Sequence, residues 1–383
     1  MSAIDGRQRV KTNKKLASGA VCLLSVLALF LLAMLLAIGP VGSEAAPEGI
    51  RLGVAQRYQD EMANRFDQIL FGEVAVRKVY TISDTAEAAP EPNPACYGEA
   101  DTASELTWLL EQAAPLLEGQ ELFFSTDVQL LPDSKVRYYL DETIFAITWQ
   151  TVQKGTVFTY SEVKLSHPSQ FRRHLCDGFG SWNRSTTSQM AKGVNAVVAL
   201  SGDYYAYRQV GLTITNGFVH KYYPGDRGTL DTCLVTREGD LYLEQGIVFE
   251  DEADAQRFAD EHDTYFSLSF GPVLVKDGVL LHTSYYPVGE LHMEYPRAAI
   301  CQMGKLHYLG AVCNKDRFHD VMLNMEDFAQ CIYETGCQQA YTLDGGQTAT
   351  VVMNNQVVNT VNFGSERPIS DIIYFATALP SEG

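Results

Sequence analysis

Basic residues are scarce in this chain, and their scarcity excludes one broad class of function. The sequence has 29 lysine and arginine residues against 47 acidic residues, which gives a formal net charge of −18. Nucleic-acid binding depends on basic side chains that neutralise phosphates. A surface of this charge repels a polyanion at long range, so we exclude nucleic acid as a partner. A phosphate-bearing substrate would need a pocket that is locally basic.

Metal-ligand spacing is absent as well. No Cys-x-x-Cys pair occurs among the eight cysteines, and the eight histidines show no spacing typical of zinc ligands. We therefore predict no metal and no cofactor. Seven cysteines lie beyond Cys22, an odd number, so at least one is free or intermolecular. Cys331 and Cys337 are candidates for a disulfide, and the alternative for all of them is a small buried thiol.

Charged residues are absent from a long stretch near the N-terminus. Residues 16–43 form an uncharged run of 28 residues, longer than the roughly 20 needed to span a bilayer. The preceding 15 residues contain five basic residues and one acidic residue, and such a flank stays in the cytoplasm. We predict a cytoplasmic tail at 1–15 and a single transmembrane anchor at 16–43 in the cell membrane, with the rest extracytoplasmic. A cleaved signal peptide is the alternative.

The remainder of the chain divides into two parts that differ in their residue pattern. Residues 44–134 are predicted to be a helical spacer and linker, in which a capped helix begins near Ser104 and ends near Gly119. From 135 to 383, short apolar strands alternate with a few helices, one of them predicted at 169–176. This mixture favours an α+β domain, a mixed α/β sheet with flanking helices, preceded by one N-terminal transmembrane helix.

The most informative segment is an apolar strand that runs into Asp344, Gly345 and Gly346. Glycine adopts positive φ without a Cβ penalty, so we expect a tight turn here. Such a turn leaves backbone N–H groups to face an anion, beside a carboxylate that can act as an acid or a base. The alternative is an ordinary β-turn with a solvated aspartate.

Four further motifs accompany this one. They are, in chain order, Ser-Gly-Asp-Tyr-Tyr at 201–205, Phe-Gly-Pro at 270–272, Tyr-Pro-Arg at 295–297 and Glu-Arg-Pro at 366–368. With Leu-Asp-Gly-Gly at 343–346, in this order and at these spacings, the chain resembles the phosphodiester glycosidase family. The resemblance covers roughly residues 138–376, and it implies a phosphodiester glycosidase-like domain at 135–383.

The resemblance implies an activity and a set of site residues. The implied reaction is hydrolysis of a sugar-1-phosphate diester, which frees the sugar and leaves a phosphomonoester. Asp203 and Asp344 are the candidates for catalytic base or nucleophile. The implied substrate contacts are Ser201, Gly202, Arg297, Gly345, Gly346, Gln347, Thr348 and Arg367.

Each of these assignments has a structural alternative. A guanidinium suits phosphate because its planar fork donates two hydrogen bonds. Arg297 could instead form a salt bridge at a strand start, and Arg367 an ion pair with Glu366 or Asp371. Asp203 could cap a turn.

The chain departs from the family pattern near the predicted site. Ser201 stands where the family has Asn, Gln347 and Cys301 stand where it has Gly, and residues 314–317 replace an Asp-Gly-Arg motif. These departures raise the chance of altered specificity or of lost catalysis. We predict an extracytoplasmic hydrolase of sugar-1-phosphate diesters in cell-envelope glycans or exopolysaccharide. The alternative is a non-catalytic envelope module that binds glycan phosphates or assists polysaccharide assembly.

Overall fold

The computed structural model of the chain describes residues 89–378, with gaps at 126–127, 133, 209, 225–229, 285 and 287–290. The predicted cytoplasmic tail, the predicted anchor and the first part of the predicted spacer lie outside these residues. In the described part, no helix has the length and apolar character needed to cross a membrane.

Antiparallel β-sheet dominates the described part of the chain. The strands are β1 (Tyr97–Ala100), β2 (Val136–Leu140), β3 (Ile144–Gln153), β4 (Thr156–Leu165), β5 (Phe171–Leu175), β6 (Val198–Ser201), β7 (Gly211–Thr215), β8 (Phe218–Tyr223), β9 (Thr232–Thr236), β10 (Leu241–Glu244), β11 (Thr264–Leu268), β12 (Val273–Lys276), β13 (Val279–Leu280), β14 (Arg297–Gly304), β15 (His307–Asn314), β16 (Gln339–Leu343), β17 (Val351–Met353), β18 (Gln356–Val357) and β19 (Asp371–Phe375).

The combination of strands and helices agrees with the predicted α+β class, but the sheets differ from the mixed sheet that we predicted. Every strand pairing among the described residues is antiparallel. Short connections account for part of this, because β3 and β4, and likewise β14 and β15, are joined by two-residue turns. Parallel neighbours would need crossover connections of a dozen or more residues.

Helices are few and short, and each begins at a polar cap. The described helices are α1 (Ala103–Leu117), α2 (Thr187–Gly193), α3 (Glu252–Glu261) and α4 (Met325–Tyr333). In each case the side chain of the residue before the helix accepts a backbone N–H from the first turn. Those caps are Thr102, Thr186, Asp251 and Asn324. The predicted helix near 104–119 is confirmed, with its cap two residues earlier.

The helix predicted at 169–176 is wrong, because this segment forms strand β5. Phe171, Arg173 and Leu175 are buried, whereas the two residues between them are partly exposed. This two-residue period is that of a strand with one face in the core. Pairing with β19 along its whole length then fixes the segment in the sheet.

Two large sheets pack face to face and form the main core. The nine-stranded sheet has the order β1-β2-β3-β4-β15-β14-β16-β12-β13, and the five-stranded sheet has the order β18-β17-β6-β19-β5. Their facing side chains, such as Leu200 and Ile373 from one and Ile300 and Leu343 from the other, belong to one buried cluster. The layers are therefore a sandwich of two antiparallel sheets.

Helices cover the outer faces of this sandwich. Residues of α1 and α4, such as Leu109 and Phe328, pack on the outer face of the nine-stranded sheet. Met190 of α2 packs on the outer face of the five-stranded sheet. Strands β10, β9 and β11 form a smaller sheet, β7 and β8 form a hairpin, and α3 packs on both through Ala255 and Ala259.

The sheet begins before the predicted domain start at residue 135. Strand β1 pairs with β2, so that Gly98 lies opposite Tyr138. Helix α1 buries Leu106 and Leu109 in the core that the nine-stranded sheet forms. The described end of the predicted spacer is thus built into the same sheet and core as the residues that follow it.

Cysteine thiols in the described part of the chain are all free. Six of the seven are buried and one is partly exposed. The proposed disulfide between Cys331 and Cys337 is not formed here. Instead the thiols pack as small apolar groups, the alternative given above.

Glu162 in β4 is a buried carboxylate that ties the segment after α1 to the nine-stranded sheet. Its oxygens accept the backbone N–H groups of Phe123 and Phe124 at 2.7 and 2.9 Å. His307 Nε2 of the neighbouring strand lies 2.7 Å from the same carboxylate. The two phenylalanine rings then pack against Trp149, so this carboxylate positions an aromatic cluster.

We predict that Glu162→Gln lowers the free energy of unfolding by about 2–3 kcal/mol, because an amide NH₂ would then face a donor that the carboxylate now satisfies. Urea unfolding of the purified chain measures this. The control is Glu111→Gln on the exposed face of α1, which we expect to change stability by less than about 0.5 kcal/mol. Equal unfolding free energies for the two variants would contradict the role given to Glu162.

Candidate active site

Two predicted motifs meet where strands of the two sheets end. Strand β16 of the nine-stranded sheet ends at Leu343, and β6 of the five-stranded sheet ends at Ser201. The backbone N–H of Asp344 donates to the carbonyl of Gly202 at 3.0 Å, and the Ser201 hydroxyl donates to the Asp344 carbonyl at 3.0 Å. The turns that carry Asp203 and Asp344 are therefore hydrogen-bonded neighbours.

Gly202 is required by the close packing of β6 against β19. A Cβ atom at this position would collide with the carboxylate of Asp371, the first residue of β19. The Gly202 N–H also donates to the Asp371 carbonyl at 3.0 Å. Gly202 therefore acts by letting two strand ends approach.

A buried ion cluster lies beneath this junction. Arg173 Nη2 of β5 is 2.6 Å from Asp203 Oδ1 and 2.8 Å from Asp371 Oδ2. Its Nε donates to Asp371 Oδ2 at 3.0 Å, and its Nη1 donates to the Ser267 carbonyl. Each of the three charged side chains is 1% exposed. The cluster thus joins β5, β19 and the turn after β6 in the protein interior.

Asp203 uses both carboxylate oxygens within the protein. Besides Arg173, its Oδ1 accepts the Tyr205 N–H at 3.0 Å, and its Oδ2 accepts the Ser269 N–H at 2.8 Å. The residue has no exposed surface. Its catalytic role stays a prediction, and the structure places its carboxylate in the protein interior.

Burial also shifts the titration of this cluster. Desolvation raises the pKa of Asp203 to about 6, with Arg173 opposing the rise and the neighbouring Asp371 adding to it. Desolvation likewise lowers the pKa of Lys221 in β8 to about 8, against the attraction of Asp203. Lys221 donates to the Arg208 carbonyl, so it fixes the segment that follows Asp203.

Asp344 is the predicted catalytic carboxylate that reaches the surface. Its side chain is 12% exposed, and its Oδ2 lies 3.4 Å from Nη2 of Arg367, whose side chain is 16% exposed. The two alternative partners of Arg367 are engaged elsewhere. Glu366 accepts the N–H of Ser188 at 2.9 Å and its hydroxyl, and Asp371 binds Arg173. Arg367 and Asp344 therefore form a pair at the site.

Arg297 organises the backbone beside the turn. Its Nη2 donates to the Met293 carbonyl at 2.6 Å, and its Nε donates to the Leu323 carbonyl at 3.4 Å. It is largely buried, in contact with the ring of Tyr295. Its role as a phosphate ligand stays a prediction, because these contacts use the guanidinium to order a loop.

The turn after Asp344 is tight, as predicted, but one of its N–H groups is not available to an anion. Gly346 has φ +63°, and its N–H donates to the Pro296 carbonyl at 2.8 Å. A Cβ on Gly345 would lie 2.6 Å from that carbonyl. Thr348 and Gln347 are buried and donate to the carbonyls of Gly345 and Ser365. The turn is thus held closely against the loop before β14.

Sequence reasoning missed the arginines around two tyrosines beside Asp344. The rings of Tyr204 and Tyr207 stack with centroids 4.5 Å apart. Arg184 lies 4.8 Å from the Tyr207 centroid, and Arg208 and Arg367 each lie 5.7 Å from the Tyr204 centroid. We call these five residues the arginine–tyrosine cluster. In the sequence, the tyrosines that follow Asp203 were the signal that could have indicated this cluster.

No group of three or more potential metal ligands occurs among the residues that the structure describes. The side chains of the site offer a carboxylate, Asp344, beside guanidinium groups and the tyrosine rings. A carboxylate serves as a base or a nucleophile, and guanidinium groups bind oxyanions.

Comparison with known proteins identifies a family whose model matches part of this chain. The model of the family described as phosphodiester glycosidase matches residues 194–376. The SPbeta prophage-derived uncharacterized protein YomE of Bacillus subtilis (strain 168) is 25% identical over 198 residues, which are 51% of this chain and 30% of that protein. The chain thus spans less than a third of the length of this relative.

Two solved structures show limited likeness. The catalytic domain of zebrafish N-acetylglucosamine-1-phosphodiester alpha-N-acetylglucosaminidase, auto-inhibited by its pro-peptide, is 16% identical with a TM-score of 0.48. The match covers 66% of this chain and 85% of that one. A hypothetical protein from Synechocystis is 13% identical with a TM-score of 0.45, and the match covers 64% of each chain.

We predict that Arg173→Met lowers the free energy of unfolding by about 3–5 kcal/mol, because Asp203 and Asp371 would remain buried without their cation. The matched control is Arg172→Met, the neighbouring arginine on the other face of β5, with an expected loss below about 1 kcal/mol. Denaturant unfolding of both variants checks this. A loss as small for Arg173 as for Arg172 would show that the cluster is not needed for stability.

The raised pKa of Asp203 predicts a stability difference that depends on pH. Its folded pKa of about 6 exceeds the unfolded value near 3.9, so the folded state holds the proton more tightly between these values. The stabilisation from that proton is lost as pH rises through this window. The unfolding free energy of the parent minus that of Asp203→Asn should therefore fall by roughly 2 kcal/mol from pH 4 to 7. A constant or rising difference would contradict the assignment.

Proposed function

Residues 194–376 belong to the phosphodiester glycosidase family, and on this premise we propose that the chain hydrolyses sugar-1-phosphate diesters of glycans. One observation carries the proposal. Asp344 presents a carboxylate that is 12% exposed beside Arg367, where the two sheets meet. The carboxylate lies within the family segment, in the motif on which the resemblance rests.

A single accessible carboxylate is enough for this reaction. Ordinary glycosidases use two carboxylates, one of which protonates an alcohol leaving group. Here the leaving group is a phosphomonoester, whose oxygen has a second pKa of about 6 and departs without a proton near neutral pH. The burial of Asp203 is therefore compatible with catalysis, because the second carboxylate has no proton to deliver.

The bonds that break and form in this reaction define the role of Asp344. The bond between the anomeric carbon and the phosphate oxygen breaks, and its electron pair stays on the phosphate. Either Asp344 takes a proton from the water that attacks that carbon, or Asp344 attacks it first and water then releases the sugar. The first route inverts the anomeric configuration and the second retains it. Arg367, 3.4 Å away, keeps the carboxylate oriented.

Asp203 acts in this proposal as a positioning residue. Its carboxylate and that of Asp371 hold the ends of β6 and β19 against Arg173. The adjacent Gly202 carbonyl accepts the Asp344 N–H, and the Ser201 hydroxyl donates to the Asp344 carbonyl. The buried cluster thus sets the backbone from which the Asp344 side chain projects.

We place the domain outside the cytoplasm, with cell-envelope glycans or exopolysaccharide as the substrate class. This part of the proposal rests on the basic residues at 1–15 and the uncharged segment 16–43. A glycan-phosphate-binding module without catalysis is the second candidate. The departures from the family pattern at Cys301, Asn314 and Gln347 favour it, because a binding module tolerates such changes better than an enzyme does.

We expect Asp344→Asn to lower the release of free sugar from a panel of sugar-1-phosphate diesters by at least about 1,000-fold, because an amide is neither base nor nucleophile. The purified chain is assayed for reducing sugar. The matched control is Asp277→Asn, an exposed aspartate after β12 at the opposite end of the same sheet, which should leave the rate unchanged.

Three outcomes separate the candidates. Sugar release that depends on Asp344 supports the hydrolase, and the anomeric configuration of the sugar identifies the route. Release that survives in Asp344→Asn would reject Asp344 as the catalytic group. Absence of release from every diester, with the diesters still bound, would reject the hydrolase in favour of the binding module.

A further inference from the structure

The arginine–tyrosine cluster contains two cations for which the proposed reaction has not yet given a role. We propose that Arg184 and Arg208, together with Arg367, bind the phosphate group of the substrate. The identity of the ligand rests on the proposed function, whereas the existence of an oxyanion site rests on the cluster itself. The site would take a phosphodiester, which carries one negative charge and two unesterified oxygens.

Positive charge is concentrated in the arginine–tyrosine cluster. The chain carries a formal charge of −18, yet three guanidinium groups surround one pair of rings. Within the described residues, Asp344 is the carboxylate that pairs with this cluster, through Arg367, and none pairs with Arg184 or Arg208. In an acidic protein, such a region is where an anion finds a favourable potential.

The second argument is unsatisfied hydrogen-bonding capacity. Arg184 Nε and Arg208 Nη1 are buried atoms without a hydrogen-bond partner among the described residues. A buried donor without a partner destabilises the protein, and an oxyanion at hydrogen-bond distance would remove that penalty. Both residues are partly exposed as a whole, while the two unpartnered nitrogen atoms are themselves buried.

The third argument is continuity with the carboxylate. Arg208 and Arg367 contact the same ring, that of Tyr204, and Arg367 Nη2 lies 3.4 Å from Asp344 Oδ2. A phosphate held by these arginines therefore lies next to the carboxylate that acts on the attached sugar. Tyr204 has φ +67°, an uncommon conformation for a residue with a side chain. Strained backbone of this kind is concentrated at ligand sites.

Arginine–aromatic packing alone does not account for these features. Arg237 lies 5.7 Å from the Tyr265 centroid, the same separation as in the cluster. There, however, the guanidinium pairs with Asp263 at 3.5 Å. Arg184 Nη1 donates to the carbonyls of Ser181 and Asn183 at 2.8 and 2.6 Å. Neither Arg184 nor Arg208 has a described carboxylate partner, so the charge of each is available to a ligand.

The test is calorimetric titration of the full chain with dimethyl phosphate, a phosphodiester that contains no sugar. We expect Arg208→Met and Arg184→Met each to raise the Kd about ten-fold, the loss of one charged contact. Arg208→Lys keeps the positive charge but loses the planar guanidinium, so its Kd should lie between those of the parent and Arg208→Met. Arg237→Met is the matched control and should bind like the parent. The thermal unfolding midpoint of each variant establishes that it is folded.

The results separate this inference from the proposed function. If dimethyl phosphate binding depends on Arg208 or Arg184 while no diester releases sugar, the oxyanion site stands and the hydrolase fails. If sugar release depends on Asp344 while folded Arg208→Met and Arg184→Met keep the parent Kd and KM, the hydrolase stands and the oxyanion site is overturned. An equal weakening by Arg237→Met would also overturn it, since overall charge would then be the cause.

Discussion

The buried guanidinium of Arg173 is the constraint on which the candidate site depends. It lies between two carboxylates that come from the turn after β6 and from the start of β19. A charge in the interior is tolerated when its partners and hydrogen bonds surround it, and Arg173 has four such contacts. Because the two carboxylates lie at strand ends, their ion pairs with Arg173 also fix the position of the backbone at Gly202 and Asp344.

Burial distinguishes the two predicted carboxylates. Asp203 is enclosed by charge and by backbone donors, whereas Asp344 emerges beside Arg367. A sequence shows both as an aspartate after an apolar strand. Burial, which the sequence does not show, separates the enclosed carboxylate from the one that is partly exposed. The arginine–tyrosine cluster adjoins Asp344 through Arg367 and concentrates positive charge in an acidic chain.

Local sequence pattern predicted helices and turns better than it predicted which residues contact one another. The helix near 104–119 and the Asp344 turn followed from caps and glycines, because those signals act within a few residues. Strand β5 was mistaken for a helix, since its neighbour β19 follows about 200 residues later and the sequence does not show which strand will pair with it. The sequence did not show the contacts that Arg367 and Arg297 make within the protein, because each depends on a loop placed by tertiary packing. The proximity of the Asp203 and Asp344 motifs followed from family resemblance, not from spacing.

The position of β19 has a consequence for the order in which the domain is completed. This strand is the last of the described strands in sequence, yet it lies between β6 and β5 in the five-stranded sheet. A chain made from its N-terminus must therefore hold Arg173 and Asp203 ready while about 170 further residues are synthesised. Until Asp371 emerges, the sheet has an open slot with two unpaired strand edges, a state in which contacts with other chains compete with folding. Strand β19 thus fills the slot between β6 and β5 and brings the second carboxylate, Asp371, to Arg173.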